Sequence, residues 1–158
     1  MTIQVGDRIP NIELRTMGES GPEPITSDAV FAGKRVVLFA VPGAFTPGCS
    51  QAHLPGFVVK ADEILAKGVD RIACMAVNDA FVLRAWQQAQ NAEAILMLAD
   101  GNAELTRALG LELDLRSAGM GIRCRRFALI ADDGIVQWLG IDDRGVDKSS
   151  AESVLAQL

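Results

Sequence analysis

One stretch of this chain brings together residues able to do chemistry: Val41-Pro42-Gly43-Ala44-Phe45-Thr46-Pro47-Gly48-Cys49-Ser50. A cysteine works as a nucleophile through its thiolate, so what surrounds the sulfur decides what it can do. Upstream, Val36–Val41 is an apolar run of the kind found in a buried strand. Pro42, Gly43, Pro47 and Gly48 then break it. Downstream, Leu54, Phe57, Val58, Ala61 and Leu65 recur at helical spacing on one face. Cys49 is therefore expected in the first turn of a helix. Unpaired N–H groups and the positive end of the dipole there favour the anion. The same N–H groups can hold an oxygen of a substrate or transition state. The Thr46 hydroxyl can donate to an oxygen near the sulfur and also accept a bond. Pro42 can shield the pocket without offering a competing N–H. Thr46 could also simply cap a helix that Cys49 begins; the full P-x-x-x-T-x-x-C arrangement between strand and helix favours the chemical reading.

The elements that must carry this site alternate. Residues 15–28, rich in Gly, Ser, Pro and Glu, read as a loop. After the strand and helix around Cys49, Gly68 falls where a C-terminal cap belongs. Arg71 to Val77 reads as a strand. Asp79 can cap a helix running to about Gln90. Ile95–Leu98 is a third strand, and a short helix with Leu105 and Leu109 stops at Gly110. Phe127–Ala131 and Ile135–Leu139 flank Asp132-Asp133-Gly134, a hairpin signal. Ser149 or Ser150 opens a last helix with Val154, Leu155 and Leu158. Alternation of this kind implies parallel strands covered by helices, and the closing hairpin adds an antiparallel strand.

Composition narrows the function classes. A chain of 158 residues, 49% of them hydrophobic, suits one domain over 1–158 with one core. The formal net charge of -5 argues against nucleic acid and anionic membrane surfaces as partners. Arg123, Arg125 and Arg126 form a local basic exception. No run reaches the roughly 18 apolar residues a membrane helix needs. Met1 to Asp7 shows no secretory pattern, so a cytoplasmic protein is expected. The three cysteines, Cys49, Cys74 and Cys124, are an odd number without a CxxC pair, which does not suggest a disulfide framework. With one histidine, His53, the usual Cys/His zinc sets cannot form, and no metal is expected.

The segment PGAFTPGCSQAHLPGF, Pro42 to Phe57, resembles the reactive-cysteine motif of the peroxiredoxin family, and within it the peroxiredoxin five subfamily. The likeness continues through Ile72–Phe81, Leu98–Gly101, Arg126-Phe127 and Asp133–Val136. It implies a thioredoxin-like α/β fold, which also fits the element order: a central mixed sheet flanked by helices, with an N-terminal extension. It further implies a thiol-dependent peroxidase acting on hydrogen peroxide and organic hydroperoxides. Cys49 would be the peroxidatic sulfur, with Pro42, Thr46 and Arg126 as its partners. Thr46 and the N–H groups of Gly48 and Cys49 would hold the peroxide oxygens. Arg126 would stabilise the thiolate and the charge spreading over the peroxide. The product is a Cys49 sulfenic acid, and no organic cofactor is required.

Some relatives resolve that acid with a second cysteine near the last helix. Here the corresponding stretch is Asp147-Lys148-Ser149-Ser150, and no cysteine follows Cys124. The expectation is a one-cysteine cycle closed by an external thiol: glutathione with glutaredoxin first, thioredoxin second. Cys74, inside an apolar strand, reads as buried and inert. Cys124 could resolve Cys49, become glutathionylated or be an ordinary thiol; its arginine neighbours would make it acidic if exposed. Arg123 and Arg125 read as surface. His53 lies on the helical face of Cys49, where it could tune the thiol or bond the preceding loop, with a structural or partly exposed role expected. Phe45, Phe81, Met120 and Phe127 could line a pocket or a dimer contact, or pack in the core. By resemblance the protein is a homodimer. A non-enzymatic redox sensor or relay using the same sulfur is the alternative, since the first step is shared.

Overall fold

The computed structural model describes residues 1–158. In chain order the elements begin with β1 (Glu13–Gly18), β2 (Gly21–Thr26), α1 (Ser27–Phe31) and β3 (Arg35–Ala40). A π-helical turn, Cys49–His53, runs directly into α2 (Leu54–Ala66). Then come β4 (Arg71–Ala76), α3 (Ala80–Ala89), β5 (Leu96–Ala99), α4 (Glu104–Ala108) and β6 (Glu112–Asp114). The chain closes with β7 (Ile122–Cys124), β8 (Arg126–Asp132), β9 (Ile135–Asp142) and α5 (Ala151–Leu155).

Seven strands form one mixed sheet in the order β2-β1-β5-β4-β3-β8-β9, while β6 and β7 make a separate ribbon. β3 pairs parallel with β4, and β4 with β5; the other pairings are antiparallel. Because strand side chains alternate, β3 feeds two cores. Val37, Phe39 and Val41 pack with Leu54, Phe57 and Trp86 on one face. Val36, Leu38 and Ala40 pack with Phe31, Leu105 and Phe127 on the other. The expected capping holds: Asp79 Oδ1 accepts from Val82 N at 2.8 Å, and Ser150 Oγ from Ser153 N at 3.1 Å. Asp133 and Gly134, both at positive φ, form the tight turn between β8 and β9.

The expectation of a loop over residues 15–28 is overturned. They contain most of the β1–β2 hairpin and the start of α1. Pro22 and Pro24 made the segment look irregular, but β2 is the edge strand, where proline's missing N–H costs no ladder bond.

The pairing that matters for the site is β3 with β8. Its register sets Ala40 opposite Phe127. One step further, Arg126 therefore arrives beside the end of β3, where Val41 and Pro42 lead into the Cys49 turn.

Candidate active site

The loop after β3 is pinned before it reaches Cys49. Ala44 N donates to Asn78 Oδ1 at 3.0 Å. Phe45 adopts φ 65, a left-handed conformation unusual for a non-glycine residue. The Thr46 hydroxyl donates to Gly43 O at 2.6 Å. It does not cap the helix with its side chain. Its one proton is committed, so toward the sulfur it offers lone pairs and can only accept. The expectation that Thr46 donates to a substrate oxygen is corrected accordingly.

Pro47 and Gly48 are already helical, with Pro47 at a position where a missing N–H is harmless. Ser50 N donates to Thr46 O at 2.9 Å as the helix begins. The N–H groups of Gly48 and Cys49 therefore belong to the set that a helix N-terminus leaves without intrahelical partners. Cys49 is wholly buried in the core that also holds Phe57 and Trp86.

Arg126 Nη2 donates to Cys49 Sγ at 3.2 Å. Its other terminal nitrogen, Nη1, donates to His53 Nδ1 at 2.9 Å. A guanidinium has only donors, so Nδ1 must carry the lone pair. His53 Nε2 then holds the proton and donates it to Ser149 O at 2.8 Å. Burial is the largest influence on this imidazole and, with the nearby Arg126 charge, lowers its pKa from 6.5 to about 4 against the opposing pull of Ser149 O and Asp142. Its ring packs against Phe39 at 5.0 Å and Phe57 at 5.6 Å, and those two phenylalanines stack at 4.0 Å. His53 is buried rather than partly exposed, and its bond to Arg126 had no signal in the sequence.

Arg123 and Arg125 are not free surface charges. Arg123 Nε donates to Met120 O at 2.8 Å and Nη1 reaches Pro42 O at 3.4 Å, so this arginine braces the Pro42 loop. Arg125 pairs with Asp143 at 2.6 Å. Pro42, Arg125 and Arg126 border a cleft of about 150 Å³ with Asp142, Asp143 and Arg144. Larger depressions elsewhere, of about 360 and 310 Å³, include none of Cys49, Thr46 or Arg126.

Cys124 departs from the reactive reading. Its side chain points into the core between the two outward arginines and is wholly buried. Burial pushes its pKa up to about 12, against an opposing effect from the Thr106 hydroxyl. Cys74 is also buried, and burial raises it well above the ordinary thiol value. All three cysteines are unpaired. Phe127 belongs to the core, Met120 is half-buried, and Phe45 and Phe81 are 55% and 66% exposed. No group of three or more His, Cys, Asp or Glu side chains is placed to hold a metal ion. No helix is long and apolar enough to cross a membrane.

The Redoxin family model matches residues 4–155. The rice protein Peroxiredoxin-2E-2, chloroplastic (Oryza sativa subsp. japonica) is 52% identical, over 99% of this chain and 73% of its own length. Reduced Prx3 of Vibrio vulnificus, solved in complex with hydrogen peroxide, is 52% identical over 99% of both chains with a TM-score of 0.95. Peroxiredoxin 5 from Alvinella pompejana is more distant, at 36% identity and a TM-score of 0.85 over 98% of this chain and 96% of its own. These similarities span the sheet, the helices and the Cys49 turn alike, and on them the chain belongs to the peroxiredoxin family, the thioredoxin-fold enzymes that reduce peroxides at the expense of thiols.

Proposed function

We propose that Cys49 is the peroxidatic sulfur, and that its oxidised form is returned to the thiol by an external thiol reductant. The observation that carries this reading is the 3.2 Å contact from Arg126 Nη2 to Cys49 Sγ at a helix N-terminus. Hydrogen peroxide or an alkyl hydroperoxide enters between Pro42 and Arg126. Thr46 Oγ1 accepts the peroxide O–H, and the N–H groups of Gly48 and Cys49 hold the oxygens. The thiolate attacks in line with the O–O bond: the S–O bond forms, the O–O bond breaks, and the departing oxygen leaves as water or alcohol after taking a proton. Arg126 offsets the charge that builds on that oxygen. The protein's own groups supply these roles, without a metal or organic cofactor.

The Cys49 sulfenic acid then condenses with one external thiol, releasing water and leaving a mixed disulfide. A second thiol displaces it and restores Cys49. The burial of Cys124 and Cys74 supports an external partner. Glutathione with glutaredoxin is the first candidate and thioredoxin the second. The motif from Pro42 to Phe57 supports placement near the peroxiredoxin five group. The homodimer is supported by exposed Phe45 and Phe81, on segments linked by the Ala44–Asn78 bond. A cytoplasmic location is part of this proposal, whereas the rice relative is named chloroplastic.

One equivalent of hydrogen peroxide added to the reduced chain should place oxygen on Cys49, read by peptide masses. Adding each reductant system in turn should then give turnover with one. Unselective oxidation of all three thiols, or wild-type peroxide consumption by Cys49→Ser, would overturn the assignment.

A further inference from the structure

Asp142 closes β9 and is only 8% exposed. Its carboxylate accepts four bonds from one turn: from Asp147 N at 3.0 Å, Lys148 N at 3.0 Å, Ser149 N at 2.9 Å and Ser149 Oγ at 2.7 Å. Burial alone would raise its pKa, but these donors together hold it below the ordinary carboxylate range. The turn also lies hard against β9, since a Cβ on Gly140 would collide with the Lys148 carbonyl. Nothing in the peroxide chemistry above uses this carboxylate, yet the turn it organises delivers the Ser149 carbonyl to His53 Nε2.

That carbonyl decides which imidazole nitrogen holds the proton. With the proton on Nε2, Nδ1 is free to accept from Arg126, and the guanidinium is fixed with its other arm on Cys49. A carbonyl displaced or turned away would leave His53 free to place its proton on Nδ1, facing the donors of Arg126. Bonds behind a functional group that set its tautomer and aim are a recognised source of reactivity.

We propose that Asp142 is a positioning residue for the Cys49 reaction, acting through the Ser149 carbonyl, His53 and Arg126. The inference rests on the reading that Cys49 is the peroxidatic sulfur. It assigns the stretch 142–149 a task at the Cys49 site.

The test uses the reduced full-length chain and two variants, Asp142→Ala and Asp142→Asn, each checked for folding by thermal unfolding. Two quantities are read: the second-order rate of Cys49 oxidation by hydrogen peroxide, and the pH profile of Cys49 alkylation. Asp142→Ala is expected to slow oxidation on the order of tenfold or more and to move the alkylation profile to higher pH. Asp142→Asn, which keeps an acceptor oxygen and the side-chain shape, should lose less, and it decides the matter if the alanine variant does not fold. Asp142→Ala combined with His53→Ala should be no slower than His53→Ala alone, because both act along one path. Wild-type rate and profile in a folded variant, or fully multiplicative losses in the double variant, would overturn the proposal. Cys49→Ser separates the two readings. If it consumes peroxide at the wild-type rate, the assignment of Cys49 fails; if it consumes none while folded Asp142 variants behave as wild type, only this inference fails.

Discussion

Arg126 Nη1 donates to His53 Nδ1 across 2.9 Å, and this contact ties the protonation of a buried histidine to the aim of the guanidinium at Cys49.

Acid should therefore weaken the fold in a definite window. His53 titrates near 6.5 when unfolded and near 4 when folded. Between those values the unfolded chain binds the extra proton, so stability rises with pH there. The contribution is fully present above about pH 6.5 and is lost as pH falls toward about 4, by at most roughly 3 kcal/mol. Asp142, with its depressed carboxyl, adds a loss of the same sign at lower pH. Urea unfolding at stepped pH, compared with His53→Gln, isolates the histidine. Equal slopes for the two proteins between pH 6.5 and 4 would contradict the assignment.

Gly48 is constrained by Arg126 rather than by its backbone. Its φ of -63 suits any residue, but a Cβ would lie 3.1 Å from Arg126 Nη2. Gly48→Ala should slow Cys49 oxidation on the order of tenfold by displacing the guanidinium. Helix propensity should keep the melting temperature close to wild type. A stopped-flow rate unchanged by the substitution would show that Arg126 has room to move.

Cys74 and Cys124 should be silent in the folded enzyme. Cys124→Ser is expected to leave turnover with an external thiol unchanged. Both buried thiols should react with an alkylating reagent only once denaturant opens the fold. A Cys49–Cys124 disulfide in peptide maps after peroxide treatment would require a rearrangement that pulls Cys124 out of the core.

Phe81→Arg should shift the assembly toward monomer in light scattering. The substitution adds charge to an exposed apolar side chain beside the active-site loop, so it should cost little in fold stability. A protein monomeric before the change, or dimeric after it, would place any dimer contact elsewhere.

What could be read early was local. Pro42, Thr46 and Cys49 lie within one strand-to-helix turn, and the geometry of that turn follows from residues that are neighbours in the chain. The caps at Asp79 and Ser150 were legible for the same reason. The hairpin of β1 and β2 was not, because it is secured by β5, far along the chain, and its edge position is what tolerates Pro22 and Pro24.

The sequence by itself singled out Cys49 as the candidate nucleophile, the helix start that receives it, and a resemblance that picked Arg126 out of three nearby arginines. Only the tertiary structure decided how these groups act. Cys49 and Arg126 are separated by 77 positions and His53 and Ser149 by 96, so their contacts depend on the register of β8 against β3 and on the turn after β9. The burial of Cys124 between two outward arginines and the commitment of the Thr46 proton to Gly43 are likewise matters of direction. Residue types state which bonds a side chain can make; packing selects the partners it meets.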